Sequence, residues 1–248
     1  MARRLARLGG LMDCPAGGSW NAPETVAGFA QSAPNAVLLR FAEAELRRRG
    51  GTGRALDLGC GAARNSIPLI GLGWDVVGID LSRPMLSAAA QRARQGPLEH
   101  QLHLVVAPMD QVPLRSQTFD LVIAHGIWNL ARSAAEFRRA VGEAARVARP
   151  GAALFVFTFS RSTFPAETMP VPGEPFVFTQ FSGQPQCFLT GRQLVEELGA
   201  AGFVRDPGVP LTEYNAPKPT TLPGKSTPAI HEAAFRLVEA PTVDTRGS

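Results

Sequence analysis

Cysteines are few in this sequence, and long hydrophobic runs are absent. Cys14, Cys60 and Cys187 are widely separated and form no C-x-x-C pair, which argues against a disulfide framework and against a cysteine zinc site. This usage is typical of a reducing compartment, so we expect a cytoplasmic protein. No apolar stretch approaches the roughly twenty residues of a membrane span, and none follows the basic start at residues 1–8. We therefore expect neither membrane insertion nor a secretory signal.

Several catalytic signatures are missing as well. The sequence has no Gly-x-Ser-x-Gly elbow, no Walker loop, no paired catalytic carboxylates and no histidines at metal-ligand spacing, so we expect no bound metal. The net charge of +4 raises the possibility of a nucleic-acid partner. However, the arginines are scattered along predicted helices, and no basic patch with interleaved aromatic residues stands out. Nucleic acid is therefore a disfavoured partner.

The most informative feature of the sequence is an apolar strand with an aspartate near its end, Asp57, that runs directly into a glycine turn. Gly59 and Gly61 permit the positive φ of a sharp turn, and the helix predicted at about 65–72 would point its N-terminal amides at the same place. A dinucleotide site would have a third glycine where Arg64 stands. Asp57 would repel a diphosphate but would attract a cationic ligand. The turn therefore favours a positively charged small cofactor over a nicotinamide dinucleotide.

Three further apolar strands follow, and each leads to a polar residue at its carboxyl end. Asp80 ends the second strand about twenty residues past the first glycine, the spacing at which a carboxylate meets a ribose hydroxyl pair. Asp110 follows the third strand, and His125 follows the fourth. Strands alternate with helices, which predicts a Rossmann-like, doubly wound α/β fold with its crevice at the carboxyl ends of the strands. We expect seven strands, mostly parallel, with an antiparallel C-terminal hairpin formed by residues 203–214 and 230–238.

Two regions outside this pattern are predicted to cover the crevice. Residues 1–50 are expected to form an N-terminal helical cover, and residues 51–248 the cofactor-binding domain. A Pro-, Phe- and Gly-rich stretch at about 160–187 breaks the periodicity and is predicted to be a substrate loop over the sheet edge. Its aromatic residues either line an apolar pocket or only pack the loop down. The candidate substrate contacts are Trp20, Trp128, Phe164 and Phe178.

Five motifs occur in a characteristic order over residues 54–203. They are Asp57-Leu58-Gly59-Cys60-Gly61, Gly78-Ile79-Asp80-Leu81-Ser82 with Met85-Leu86, Met109-Asp110, Phe119-Asp120, and Arg149-Pro150-Gly151. In this order the chain resembles class I S-adenosylmethionine-dependent methyltransferases of the small-molecule type. The resemblance implies S-adenosyl-L-methionine as cofactor and S-adenosyl-L-homocysteine as product. It also implies methyl transfer by in-line displacement to an S, Se, O or N nucleophile of a small molecule.

The same resemblance implies roles for individual residues around the crevice. Gly59 and Gly61 would lie against the methionine part of the cofactor, with Asp57 close to its ammonium group. Asp80 would bind the ribose hydroxyls. Leu81 and Met109 would sandwich the adenine, and Asp110 would accept from its amino group. The full set of implied cofactor contacts is Asp57, Gly59, Gly61, Asn65, Asp80, Leu81, Met85, Met109, Asp110, Gln111, Ala124 and His125.

His125 is the one titratable residue placed where a general base could act. It is therefore the candidate catalytic residue, with a hydrogen-bonded wall of the site as the alternative role. Other functions stay open at this point: a methyltransferase acting on nucleic acid or protein, a nicotinamide-dependent oxidoreductase, or a non-catalytic scaffold. The identity of the acceptor does not follow from the sequence. We expect a monomer or a homodimer.

Overall fold

The computed structural model describes residues 20–96, 99–216 and 227–238. Cys14, the basic start at residues 1–8 and most of the Pro- and Thr-rich stretch before the last strand lie outside the described residues. Within them, the protein has an α/β fold with one main sheet and a separate two-stranded hairpin. The strands are β1 (Gly53–Leu58), β2 (Trp74–Asp80), β3 (Leu102–Val106), β4 (Phe119–His125), β5 (Ala148–Phe159), β6 (Val177–Phe178), β7 (Gln186–Cys187), β8 (Phe203–Arg205), β9 (Thr212–Tyr214) and β10 (Ile230–Leu237).

Among the described residues, the main sheet has eight strands in the order β3-β2-β1-β4-β5-β10-β8, with β9 also paired to β10. Strands β1 to β5 are parallel, whereas β10 is antiparallel to β5, β8 and β9. The predicted α/β class and its antiparallel end are thus confirmed, but the predicted count of seven strands is wrong. The segment 203–214 forms two short strands because Pro207 and Pro210 have no N–H, and Gly208 N donates to Asp206 Oδ1 in a turn.

Helices cover both faces of the sheet. They are α1 (Pro23–Gln31), α2 (Ala36–Arg48), α3 (Ser66–Leu72), α4 (Arg83–Ala93), α5 (Ala134–Val147) and α6 (Gly191–Ala200). One hydrophobic core joins α2 and α3 to the sheet, and the other joins α5 and α6 to its opposite face. None of the helices in the described residues is long and apolar enough to cross a membrane.

The described residues of the predicted helical cover, residues 1–50, have two different positions: one part packs in the core, and the other lines the crevice. In α2, Leu38 and Phe41 are buried in the core, and the Phe41 ring lies 6.3 Å from that of Phe155 in β5. The preceding segment, which includes α1, reaches the crevice instead, with Trp20 and Phe29 on its wall. Helix α2 is therefore an integral part of the fold, and a division of the chain at residue 50 stays a prediction.

Candidate active site

A cavity of about 480 Å³ opens at the carboxyl ends of the parallel strands. Its walls come from the glycine turn after β1, the ends of β2, β4 and β5, the segment before α2 and the loop between β5 and α6. This is the place where ligands bind in open α/β sheets. Eight of the predicted cofactor residues line the cavity: Gly59, Gly61, Asp80, Leu81, Met85, Met109, Asp110 and His125.

The other predicted cofactor residues do not line the cavity. Asp57 and Ala124 are buried inside the sheet, and Gln111 is exposed on the surface. Asn65 is buried beside α3, where its Oδ1 accepts a hydrogen bond from Asn35 N at 3.0 Å. These residues can support the cavity wall, but the structure does not bring their side chains to it.

The glycine turn has the backbone that its sequence predicts. Gly59 and Gly61 have φ values of 65° and 54°, and Ala63 has a φ of 60°. A side-chain carbon at Gly59 would lie only 2.6 Å from Cδ1 of Ile127, so both the conformation and the space require glycine there. Ala63 adopts the left-handed region that usually favours glycine. The turn therefore gives a ligand close access to the main chain.

Asp80 is fixed beside this turn at the end of β2. Its Oδ2 accepts from Gly61 N at 2.9 Å, and its Oδ1 accepts from Ser82 N at 2.8 Å. Burial raises the pKa of the Asp80 carboxyl, whereas these backbone hydrogen bonds lower it. Because each carboxylate oxygen has a second lone pair, Asp80 can also accept hydrogen bonds from a ligand in the cavity.

Asp57 lies behind the turn instead of facing the ligand space. Only 2% of Asp57 is exposed, and Ser66 Oγ donates to its Oδ2 at 2.6 Å. Burial, together with the nearby Asp80 charge, raises the pKa of the Asp57 carboxyl to about 7, although the Ser66 hydrogen bond lowers it. The predicted attraction between Asp57 and a cationic ligand would therefore act across the turn and would depend on pH.

His125 is held by contacts on both ring nitrogens. Its Nε2 lies 3.2 Å from Asn35 Nδ2, and its Nδ1 lies 3.2 Å from Arg64 Nη2. The amide of Asn35 is oriented because its Oδ1 accepts from Leu38 N and its Nδ2 also donates to Glu232 Oε1. A neutral imidazole accepts at one nitrogen only, so its two donor neighbours compete for that role.

The surroundings of His125 disfavour its charged form. Burial is the main cause, with the Arg64 charge as a second one, and together they lower the pKa of His125 to about 4. At neutral pH the ring is uncharged and weakly basic. These properties agree better with a hydrogen-bonded wall of the site than with a general base.

The aromatic residues of the 160–187 loop divide into two groups. Phe164 and Phe178 stack on each other at 5.1 Å, and both contact Phe188 in the interior. Phe181 contacts Phe159 of β5 at 5.4 Å, and this second pair lines the cavity. Phe164 and Phe178, predicted as substrate contacts, therefore pack the loop down instead.

The two predicted tryptophan contacts also differ. Trp20 lines the cavity, and its ring meets that of Phe29 edge to face at 5.4 Å. Trp128 is fully buried against Phe137 and does not reach the cavity. Its ring fills the core beneath the turn after β4. Trp128 is therefore near the cavity in sequence but cannot contact a ligand there.

Several wall residues were not predicted from the sequence. Asn35 does not line the cavity itself but supports the wall residue His125; it carries a helix-cap signal just after Pro34, whereas its contact with His125 depends on long-range packing. Phe157 and Phe159 are two residues apart at the end of β5, so their side chains lie on the same face of the strand. This spacing is the sequence signal for two aromatic residues on one wall of the cavity. Gln186 and Asn129 are further wall residues that the sequence did not predict, whereas Phe181 is one of the loop aromatics predicted either to line a pocket or to pack the loop down.

Charge on the cavity wall is unevenly distributed. Arg64 is the one Lys or Arg among the described residues that line it. The lining carboxylates are Asp80, Asp110 and Glu136, of which Asp110 pairs with Arg139 at 3.0 Å. No group of three or more His, Cys, Asp or Glu side chains in the described ranges is arranged to hold a metal ion.

Comparisons with known proteins agree with this geometry. Residues 56–156 match the family model described as a methyltransferase domain. A ubiquinone/menaquinone biosynthesis C-methyltransferase (UbiE) of Syntrophotalea carbinolica is 37% identical over 118 residues, which make up 46% of this chain and 47% of that protein. This chain thus matches about half the length of that relative.

Solved structures share the fold at low sequence identity. A 1,6-didemethyltoxoflavin-N1-methyltransferase of Burkholderia thailandensis, with 1,6-didemethyltoxoflavin and S-adenosylhomocysteine bound, has a TM-score of 0.57 and 19% identity, over 82% of this chain and 79% of its own. An S-adenosylmethionine-dependent methyltransferase of Mesorhizobium loti has a TM-score of 0.60 and 21% identity, over 80% of this chain and 95% of its own.

Proposed function

This chain carries a methyltransferase domain of the class I, S-adenosylmethionine-dependent family, and we propose that it transfers a methyl group from S-adenosylmethionine to a small-molecule acceptor. The observation that carries the proposal is the position of Asp80. Its carboxylate lies on the cavity wall, held by Gly61 N and Ser82 N, with lone pairs left for a ribose hydroxyl pair.

The rest of the wall is suited to the other parts of the cofactor. Leu81 and Met109 offer apolar surface for the adenine, and Leu81 is 40% exposed in the protein alone. Arg64 can pair with the carboxylate of the methionine part, because opposite charges attract strongly in a partly buried site. Gly59 and Gly61 let the main chain approach the same part closely.

Catalysis by this chain would consist mainly of holding two molecules in line. When bound, the cofactor supplies a methyl group on a positively charged sulfur. The protein orients the acceptor, keeps water out and positions its nucleophilic atom near that methyl. His125 contributes a neutral ring as part of the wall, and its lowered pKa of about 4 makes it a poor proton acceptor at neutral pH. The acceptor would therefore supply a nucleophile that needs little help from a base.

Three observations support a small-molecule acceptor over a macromolecule or a nicotinamide reaction. Part of the cavity wall comes from residues 20–29 and from the 160–187 loop, which leaves a compact space. The relative from Syntrophotalea carbinolica and the structure from Burkholderia thailandensis both have names that refer to small-molecule methylation. Arg64, in place of a third glycine, and the buried Asp57 disfavour a dinucleotide.

Isothermal titration calorimetry of the full chain with S-adenosylhomocysteine and S-adenosylmethionine tests the proposal. We expect binding in the micromolar range or tighter, and Asp80→Ala should weaken it at least tenfold, since a buried hydrogen bond to a charged group is worth roughly 1.5–3 kcal/mol. Asp75→Ala is the matched control, because Asp75 lies on the same strand but outside the cavity, paired with Arg54. Absence of binding by the unmodified chain would disprove the proposal.

A further inference from the structure

One end of the cavity, formed by the end of β5 and by the 160–187 loop, is aromatic. Phe157 and Phe159 project from the same face of β5, and Phe181 of the loop packs edge to face on Phe159. The ring of His125 lies parallel to that of Phe157. Flat rings bind well between such side chains, because offset and edge-to-face contacts between aromatic groups are favourable.

The carboxylates on the described cavity wall already have partners. Asp80 accepts from two backbone N–H groups, and Asp110 and Glu136 are each paired with an arginine. Arg64 is assigned to the cofactor by the proposed function. Its guanidinium lies 3.2 Å from His125 Nδ1, so it borders this end, but there its charge would be paired with the cofactor. With His125 neutral, no unpaired charge is then left on the described wall of this end, and the lining favours an uncharged ligand.

A buried amide at the same end has an unused donor. Gln186 in β7 is 2% exposed and lines the cavity. Ser182 Oγ donates to its Oε1 at 2.7 Å, which orients the amide group. No described residue accepts a hydrogen bond from Gln186 Nε2. A ligand oxygen would satisfy it.

A second buried amide has an unused acceptor. Asn129, in the short 3-10 turn Trp128–Leu130, is 2% exposed and also lines the cavity. Its Oδ1 is buried without a hydrogen-bond partner among the described residues. Strand β7 packs directly against this turn, and Cys187 Sγ donates to Ala131 O at 3.3 Å. The amides of Gln186 and Asn129 therefore come from neighbouring segments.

We infer that the acceptor is an uncharged, flat aromatic molecule with a hydroxyl group bound between Asn129 and Gln186. A hydroxyl donates one hydrogen bond and accepts others, so it can donate to Asn129 Oδ1 and accept from Gln186 Nε2 at once. A carboxylate can only accept, and an ammonium group can only donate. Leaving either buried amide group unpaired is unfavourable, which gives the site its selectivity. This inference rests on the proposed function.

Calorimetry of the full chain saturated with S-adenosylhomocysteine tests the inference with four probes: 2-naphthol, 2-methoxynaphthalene, 2-naphthoate and decahydro-2-naphthol. We expect 2-naphthol to bind at least about tenfold more tightly than each of the others, because each lacks the donor, the neutrality or the aromatic ring. Equal affinity for 2-naphthol and 2-methoxynaphthalene would overturn the hydroxyl assignment. Tighter binding of 2-naphthoate would overturn the uncharged character.

Single variants test whether the amides of Asn129 and Gln186 cause the tighter binding of 2-naphthol. Gln186→Leu and Asn129→Leu should each weaken 2-naphthol binding about tenfold and leave naphthalene binding unchanged. Gln184→Leu is the matched control, since Gln184 is exposed two residues away and should behave as the unmodified chain. S-adenosylhomocysteine affinity reports on folding of each variant. If the unmodified chain fails to bind S-adenosylhomocysteine, the proposed function fails. If it binds this product but does not prefer 2-naphthol, only the present inference fails.

Discussion

The ring of His125 lies parallel to the ring of Phe157, with 4.3 Å between their centroids and 3° between their planes. Stacking buries the imidazole and leaves only its two nitrogen edges for polar contacts, which Asn35 and Arg64 occupy. A histidine fixed in this way by an aromatic neighbour and two donor groups is adapted to shape the cavity. Its protonation would remove the one acceptor nitrogen of the ring and leave both nitrogens facing donors.

We predict that His125 titrates near pH 4 in the folded protein, well below its ordinary value of 6.5. The sign for stability follows from linkage. Because the unfolded state takes up this proton at higher pH than the folded state, stability is lost as the pH falls from 6.5 to about 4. NMR titration of the imidazole resonances measures this directly, with His125→Gln identifying the signal. A methyl-transfer rate with an inflection near pH 6.5 that disappears in His125→Gln would contradict the prediction.

Asp57 should give stability the opposite pH dependence. Its pKa is raised from 3.8 to about 7, so the folded state keeps a proton that the unfolded state has lost. The stability that this proton confers is present at acid pH and declines as the pH rises from 3.8 to about 7. Asp57→Asn should remove the decline and gain on the order of a few kcal/mol over the unmodified chain at pH 8. Urea unfolding at pH 5 and pH 8 measures this, with Asp75→Asn on the exposed side of β2 as control.

Gly59→Ala should destabilise the protein and abolish cofactor binding. The added carbon would lie 2.6 Å from Ile127 Cδ1, and a φ of +65° is strained for alanine. The expected cost is roughly 1–3 kcal/mol. Gly50→Ala provides the control, because Gly50 has a similar φ of +79° with nothing within 4 Å. Thermal unfolding and calorimetry compare the two, and equal losses in both variants would show that the Ile127 contact is unimportant.

Arg161→Ala should loosen the 160–187 loop. The guanidinium donates to the carbonyls of Phe164, Pro165, Ala166 and Thr168, and it lies 5.0 Å from the centre of the Phe178 ring. We expect faster hydrogen exchange in this loop and weaker acceptor binding, with unchanged S-adenosylhomocysteine affinity. Arg192→Ala, which removes an exposed arginine, should leave all three unchanged. Loss of S-adenosylhomocysteine binding in Arg161→Ala would show that the loop supports the whole cavity.

The parts of the site that are local in sequence were predictable, and those assembled over long distances were not. Gly59, Gly61 and Asp80 follow from strand-to-turn motifs whose geometry is set within a few residues. Asn35 contacts His125, and Gln186 lines the cavity, only because distant segments pack against β4 and its following turn. The extra strand was missed because Pro207 and Pro210 interrupt a segment whose apolar pattern looked continuous.

The last described strand, β10, lies inside the sheet between β5 and β8. About seventy residues separate the end of β5 from the start of β10. Until those residues have been synthesised, one edge of β5 is unpaired and open to other strands. Such distant pairing is slow, because a long loop must close before the contact stabilises anything. Glu232, which holds Asn35, sits in this strand. The hydrogen bond that orients Asn35 beside His125 can therefore form only after β10 has paired with β5, so this part of the site depends on a strand that is synthesised long after the rest of its wall.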